Sequence, residues 1–230
     1  MVPISTLILV LAILPAAFLL VYIYKKDKHE KEPFGLLASL FVLGALTTIS
    51  AMVIEVAFGS LVGIILPPES IPYKFIENFF IVAATEEVGK YVVLRLRTWK
   101  SPEFNYTFDA VVYAVVVSLG FATLENILYL LNGSLETAIA RAVLSVPGHA
   151  IDGVFMGFFY GVAKHAQRMG DNKRCSTNLW LALIAPIIIH GLYDFFIDVE
   201  LLVVFLAFEV VITVIAVKYI NRLSKDSVPL

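Results

Sequence analysis

The strongest constraint on this chain is the recurrence of hydrophobic runs of about 18 to 25 residues, parted only by short polar loops. About 20 apolar residues make about 30 Å of helix, enough to cross the hydrocarbon core of a bilayer. With 60% of its 230 residues hydrophobic and a mean hydropathy of +0.88, the chain is far too apolar for a soluble domain. The runs predict about seven transmembrane helices, near 4–24, 35–58, 74–95, 107–131, 138–163, 177–197 and 199–219. No polar gap is long enough for a soluble domain. The expected fold is therefore all-α, a polytopic integral membrane helical bundle forming one domain over residues 1–230.

Basic residues set the expected orientation. Lys25, Lys26, Lys28 and Lys31 follow the first span, and Arg95, Arg97 and Lys100 follow the third. Lys164, Arg168, Lys173 and Arg174 follow the fifth, and Lys218, Arg222 and Lys225 end the seventh. These are 14 of the 17 Lys and Arg, with Lys74 and Arg141 the exceptions near the other ends. By the positive-inside rule the N-terminus lies outside and the C-terminus in the cytoplasm. The first span lacks a basic leader and runs straight into the charged stretch from Lys25 to Glu32, so it reads as a span rather than a cleaved signal. The net charge of −2 and the absence of a basic patch tell against nucleic acid as a partner. Cys175 is the only cysteine and falls in an expected cytoplasmic loop, which excludes a disulfide framework and a Cys-based metal site.

Against this background, adjacent Glu86 and Glu87 are costly. Each carboxylate in hydrocarbon costs at least a few kcal/mol, so both must face protein, water or each other. Two like charges side by side cannot both ionise cheaply, which poises the pair for acid/base chemistry. Further ionisable groups gather on the third to sixth spans: Lys90, Glu125 beside Asn126, His149 with Asp152, and His190 with Asp194. Lys90 shares a helix face with Glu86 and Glu87. Each histidine has an acidic residue three or four positions on, the arrangement that fixes an imidazole tautomer. Each also has a proline nearby, Pro147 and Pro186, whose kinks are expected to border one hydrated pocket. At 1.5 Å per residue, Glu86 and His149 lie about 16–18 Å below the outer ends of their spans, and His190 and Glu125 about 10 Å. All four can therefore share a chamber between the midplane and the outer leaflet. Gly153, Gly157 and Gly161 form a small-residue stripe that suits close helix packing. Asp109 and Arg141 read as interface residues, and Glu55 and Glu209 have no evident partner.

Peptide hydrolysis needs a base for water, an acid for the leaving amine and a donor for the oxyanion. Glu86 or Glu87 could be the base, with His190 or His149 orienting water or stabilising the oxyanion. Asp194 would orient His190, and Lys90 would neutralise one glutamate. Zinc is the alternative, since Glu86, Glu87, Glu125, His149 and His190 could supply three ligands and a base, although no His-Glu-x-x-His is present. A proton-coupled transporter is a second alternative, weakened by small size and the lack of inverted repeats. A haem carrier ligated by His149 and His190 would leave the adjacent glutamates unexplained.

Four segments in order resemble the PrsW family of intramembrane proteases. Glu86-Glu87-Val88-Gly89-Lys90 is similar to that family's EExxK motif, and Gly120 to Asn126 to its FxxxE(N) segment. His149-Ala150-Ile151-Asp152-Gly153 and His190-Gly191-Leu192-Tyr193-Asp194 are similar to its two histidine motifs. The charged stretch from Asp27 to Pro33 resembles its opening loop more loosely. The resemblance implies a glutamic-type endopeptidase of the prokaryotic cell membrane, without a covalent intermediate and without a metal. It implies catalytic roles for Glu86, Glu87, Glu125, His149, His190 and Asp194, supported by Lys90, Asn126 and Asp152. The implied substrate is a membrane-anchored protein such as an anti-sigma factor, cut near the extracytoplasmic side. The chain departs from the distantly related CAAX endopeptidases, which carry an arginine one position after Lys90 and a histidine in place of Glu125; these departures tell against farnesylated substrates. Whether Glu125 or His149 takes that histidine's role stays open. The topology is directly measurable: a reporter fused after Leu230 should read as cytoplasmic and one after Val2 as external, and an external C-terminal signal would refute the seven-span arrangement.

Overall fold

The computed structural model describes residues 4–130 and 134–230. Seven helical rods run through it: α1 (Ile4–Lys26), α2 (Phe34–Ile65), α3 (71–98), α4 (Asp109–Leu130), α5 (Leu135–Arg168), α6 (Asn172–Asp198) and α7 (Leu202–Lys225). Among the described residues no strand forms, only an isolated bridge between Tyr106 and Pro229. Six of the rods are long and apolar enough to cross a membrane, and α3 is not among them. The reason is chemical: α3 carries Glu77, Glu86, Glu87, Lys90, Arg95 and Arg97, which lower its hydropathy while its length still suits a span. Cys175, expected in a loop, lies in the first turn of α6.

The ends of the rods sort as the charge pattern requires. At one end Lys26 donates to Asn221 at 2.6 Å, Asn105 to Glu30 at 2.8 Å, and Lys164 to the Trp99 carbonyl at 2.6 Å. The tail joins the same end, where Leu230 N–H donates to the Asn105 carbonyl at 2.7 Å. The basic loops thus lie together. At the opposite end Lys74 donates to the Asp198 carbonyl at 2.6 Å, and Asn126 ties α4 to the Ala12 carbonyl of α1 at 3.3 Å.

α4 is the axis of the bundle. Every residue from Asp109 to Thr123 is buried, whereas α1, α2 and α7 bury only a stripe and turn side chains such as Phe18, Val56 and Val203 outward. A helix surrounded by others needs close neighbours, because lipid tails supply no hydrophobic drive between apolar helices. Small residues provide that approach. A Cβ on Gly44 would stand 2.2 Å from the Val117 carbonyl oxygen, and one on Gly120 would stand 2.1 Å from that of Phe41. α2 and α4 therefore touch backbone to backbone in both directions. The stripe on α5 does the same against α4, where a Cβ on Gly157 would meet Val111 Cα at 2.5 Å.

Two rods are locally widened into π turns, at Glu77–Ala83 in α3 and Arg141–Ser145 in α5. Such turns insert extra backbone and are frequent at functional sites. Each lies just before chemistry-bearing residues, Glu86 and Glu87 in one case and His149 in the other. The second also accommodates Pro147, which cannot donate to the preceding turn. Pro186 sits instead within the unbroken α6, one turn before His190. The backbone contacts are testable with Gly44→Val and Gly120→Val. Each should destabilise the detergent-solubilised protein by about 1–3 kcal/mol or prevent accumulation, while Gly35→Val, with nothing within 4 Å of its Cβ, should melt like wild type.

Candidate active site

The site grows from one ammonium group. Lys90 is fully buried and donates to Glu86 Oε2 at 3.1 Å, Glu87 Oε1 at 2.7 Å and His149 Nδ1 at 3.1 Å. Its charge also sits 4.0 Å from the centre of the Phe121 ring, a cation–π contact from α4. The i, i+3 and i, i+4 spacing within α3 places both glutamates under the same Nζ. The sequence suggested that one glutamate would be neutralised in this way. Both are.

The direction of each histidine follows from its partners. An ammonium can only donate, so His149 Nδ1 accepts and its Nε2 carries the hydrogen. That Nε2 lies 3.0 Å from Glu125 Oε2, whose charge is also met by Arg141 Nη2 at 2.6 Å. Arg141 Nε donates to Asn126 at 2.8 Å and its guanidinium lies 3.9 Å from the Tyr129 ring. On α6, His190 Nδ1 is 3.0 Å from Glu87 Oε1, and its Nε2 is 3.2 Å from Asp194 Oδ2. The expected His190–Asp194 pair is present. The expected pairing of His149 with Asp152 is not: Asp152 Oδ2 lies 3.9 Å from His190 Nδ1, because the His149 ring turns toward α3 and α4 while Asp152, one turn deeper, faces α6. The two imidazole rings are edge to face with centroids 5.2 Å apart.

A cavity of about 400 Å³ opens beside this cluster, and Glu86, Glu125, His149, Asp152, His190 and Asp194 all line it. Glu87 does not; it stands behind Glu86 and braces Lys90 and His190. Around the cluster three carboxylate oxygens, Glu55 Oε1, Glu87 Oε2 and Asp152 Oδ1, are buried without a protein partner among the described residues. Arg141 also lines the cavity, which corrects its reading as an interface residue. A lone arginine inside an apolar run was the available signal. Glu55 and Glu209, left without a role by the sequence, line the cavity too. Asp109 is structural, since its carboxylate accepts the N–H groups of Asn105 and Tyr106 at 3.0 and 2.7 Å ahead of α4.

Atoms of Glu86, Glu87, His149 and His190 that could ligate a metal lie within 4.8 Å of one another. Carboxylate and imidazole are donors that zinc accepts. Lys90 Nζ bonds three of these four residues, Glu86, Glu87 and His149. All four imidazole nitrogens are likewise engaged, which leaves none free for haem iron.

A multi-pass membrane bundle with a buried carboxylate–imidazole cluster facing a cavity has the groups that an intramembrane hydrolase needs. Comparison with known proteins narrows the class. A family described as PrsW family intramembrane metalloprotease matches residues 32–220. The chain is 37% identical over 223 residues to Protease PrsW of Oceanobacillus iheyensis, covering 96% of this chain and 98% of the relative. It is 40% identical over 180 residues to Protease PrsW of Geobacillus kaustophilus, covering 78% and 75%. The Bacillus subtilis Protease PrsW is 36% identical over 184 residues, covering 80% and 79%. No solved structure matches the chain. The chain belongs to the PrsW family of intramembrane proteases and is a multi-pass peptidase of the cell membrane. The proton-carrier and haem readings fall with that assignment.

The ammonium-centred network makes its own prediction. Lys90→Met leaves two buried glutamates without their counter-charge, and breaking a buried ion pair costs about 3–5 kcal/mol. Thermal melting in detergent should show that loss. The double variant Lys90→Met/Glu86→Gln should recover part of it; no recovery would mean that Lys90 acts through packing alone.

Proposed function

We propose that the protein cuts a membrane-anchored protein, such as an anti-sigma factor, near the extracytoplasmic side by a metal-free attack of water. The observation that carries this reading is the placement of Glu86 on the cavity wall with Glu87, Lys90 and His190 fixed around it. Glu86 is the base. It takes a proton from water as the oxygen bonds to the scissile carbonyl carbon. His190 is held between Glu87 and Asp194, and as the oxyanion forms its Nε2–H turns to it from Asp194, the more exposed of the two carboxylates. The C–N bond then breaks, and the proton on Glu86 passes to the leaving amine. His149 and Glu125 form a second imidazole–carboxylate unit, steadied by Arg141 and Asn126, that holds the substrate or the water opposite. Asp152 supports His190 from below. Electrostatic groups placed in advance of reaction in a dry site are worth far more than in water.

The family's description as metalloproteases and the close grouping of donors favour a second reading, in which Glu86, His149 and His190 hold zinc. Bound zinc would supply Lewis-acid activation of water. The two readings part in one experiment. A co-expressed single-pass membrane protein should be cleaved by wild type, with Glu86→Gln lowering turnover by about 10²–10⁴-fold while expression holds. Activity of the purified protein in detergent should survive exhaustive chelation, with no stoichiometric metal by elemental analysis. Loss with chelator and return with one equivalent of zinc would establish the zinc reading, and wild-type turnover by Glu86→Gln would remove Glu86 from the chemistry.

A further inference from the structure

α2 and α4 are pinned together at Gly44 and Gly120 and again where the Thr48 hydroxyl donates to the Phe121 carbonyl at 3.2 Å. Beyond that tie, toward the outer end, the two helices part around a second chamber of about 290 Å³, open on one side where Met52 and Val56 are exposed. Ala51, Met52 and Val56 wall it from α2, and Phe121 and Leu128 from α4. Glu55, Glu86, Glu125 and Tyr129 belong to both this chamber and the polar cavity, so the two spaces meet at these residues.

We propose that this second chamber is a specificity pocket, which receives an apolar side chain of the substrate within two residues of the scissile bond. The assignment rests on the protease reading above and deepens it. Position is the first argument. Successive residues of an extended peptide are about 3.3 Å apart, so a carbonyl at Glu86 brings its neighbours to the chamber's inner side. Size is the second. At about 290 Å³ the chamber lies at the lower edge of the roughly 300–1,000 Å³ range of ligand pockets, room for a large side chain but not for a helix. Chemistry is the third: Ala51, Met52, Val56, Phe121 and Leu128 make most of the wall apolar, and the Thr48 hydroxyl is already bonded to the Phe121 carbonyl. The polar groups of Glu55, Glu86, Glu125 and Tyr129 lie on the side shared with the polar cavity. The Phe121 ring also covers Lys90, so an apolar occupant against it keeps water from that side of the ammonium.

Ala51 is the smallest of these walls and is 3% exposed, so its side chain sets the room available. Ala51→Leu narrows the chamber and Leu128→Ala widens it. One methylene in an apolar pocket is worth about 10- to 200-fold in discrimination. The test labels new N-termini in membrane proteins from cells producing wild type, Glu86→Gln, Ala51→Leu or Leu128→Ala. Cuts made by wild type and not by Glu86→Gln should carry Leu, Met or Phe at one fixed position within two residues of the bond. Ala51→Leu should shift that position toward Ala, Ser or Gly by about tenfold or more, and Leu128→Ala should shift it toward larger residues. Cuts that depend on Glu86 but keep one residue distribution across both wall variants overturn the pocket and leave the protease intact. An absence of Glu86-dependent cuts overturns both.

Discussion

Everything at the centre of this molecule depends on the Lys90 ammonium. It bonds two glutamates of its own helix, a histidine of α5 and the face of a phenylalanine of α4. Through Glu87 its influence reaches His190 of α6. A single cation, itself fully buried, thus links four helices. Buried ion pairs often contribute little net stability, but removing one member leaves a charge that the interior cannot hold. In a bilayer the same logic is harsher, because the alternative environment is hydrocarbon. The cost of burying these groups finds its explanation in chemistry rather than in packing.

Packing supplies the frame that makes such burial possible. Helices reach one another here through glycine contacts, with α4 enclosed by α2 on one side and α5 on another. That close approach is confined to the inner half of the α2–α4 pair, and the two helices part around open space beyond Thr48 and Phe121. Meanwhile π turns in α3 and α5 lie just ahead of the residues that meet in the cluster. A straight α-helix in either rod would alter the rotation of Glu86 or His149 relative to its neighbours. Rigid contact below and altered register above together place the functional side chains.

The result is a reaction centre between two unlike spaces. One is lined chiefly by carboxylates and imidazoles; the other is walled mainly by Ala51, Met52, Val56, Phe121 and Leu128, with carboxyls only where it joins the first. Glu86 borders both, and Glu87 behind it borders neither. Adjacent and chemically identical residues thereby acquire different duties. Under the proposed mechanism Glu86, the base, needs contact with water and substrate, whereas Glu87, which holds the ammonium and His190 in line, is better kept from both.

The sequence alone determined the membrane character, the number of rods, the sorting of basic loops to one end and the residues of the cluster. Those features are written in local terms: run length, charge position and the high cost of an ionisable group in lipid. It also marked the histidines as having carboxylate partners, and was right for Asp194 and wrong for Asp152. Tertiary structure decided what spacing along one helix cannot: that Asp152 lies nearer His190 than His149, that Arg141 lines the cavity, and that Glu55 stands where two chambers meet. It also decided which glutamate faces the cavity. Periodicity tells which face of a helix a residue occupies, but not which neighbouring helix lies opposite that face. That depends on backbone contacts between segments dozens of residues apart, such as Gly44 against Val117 and Gly157 against Val111, and on two π turns that no local pattern announces.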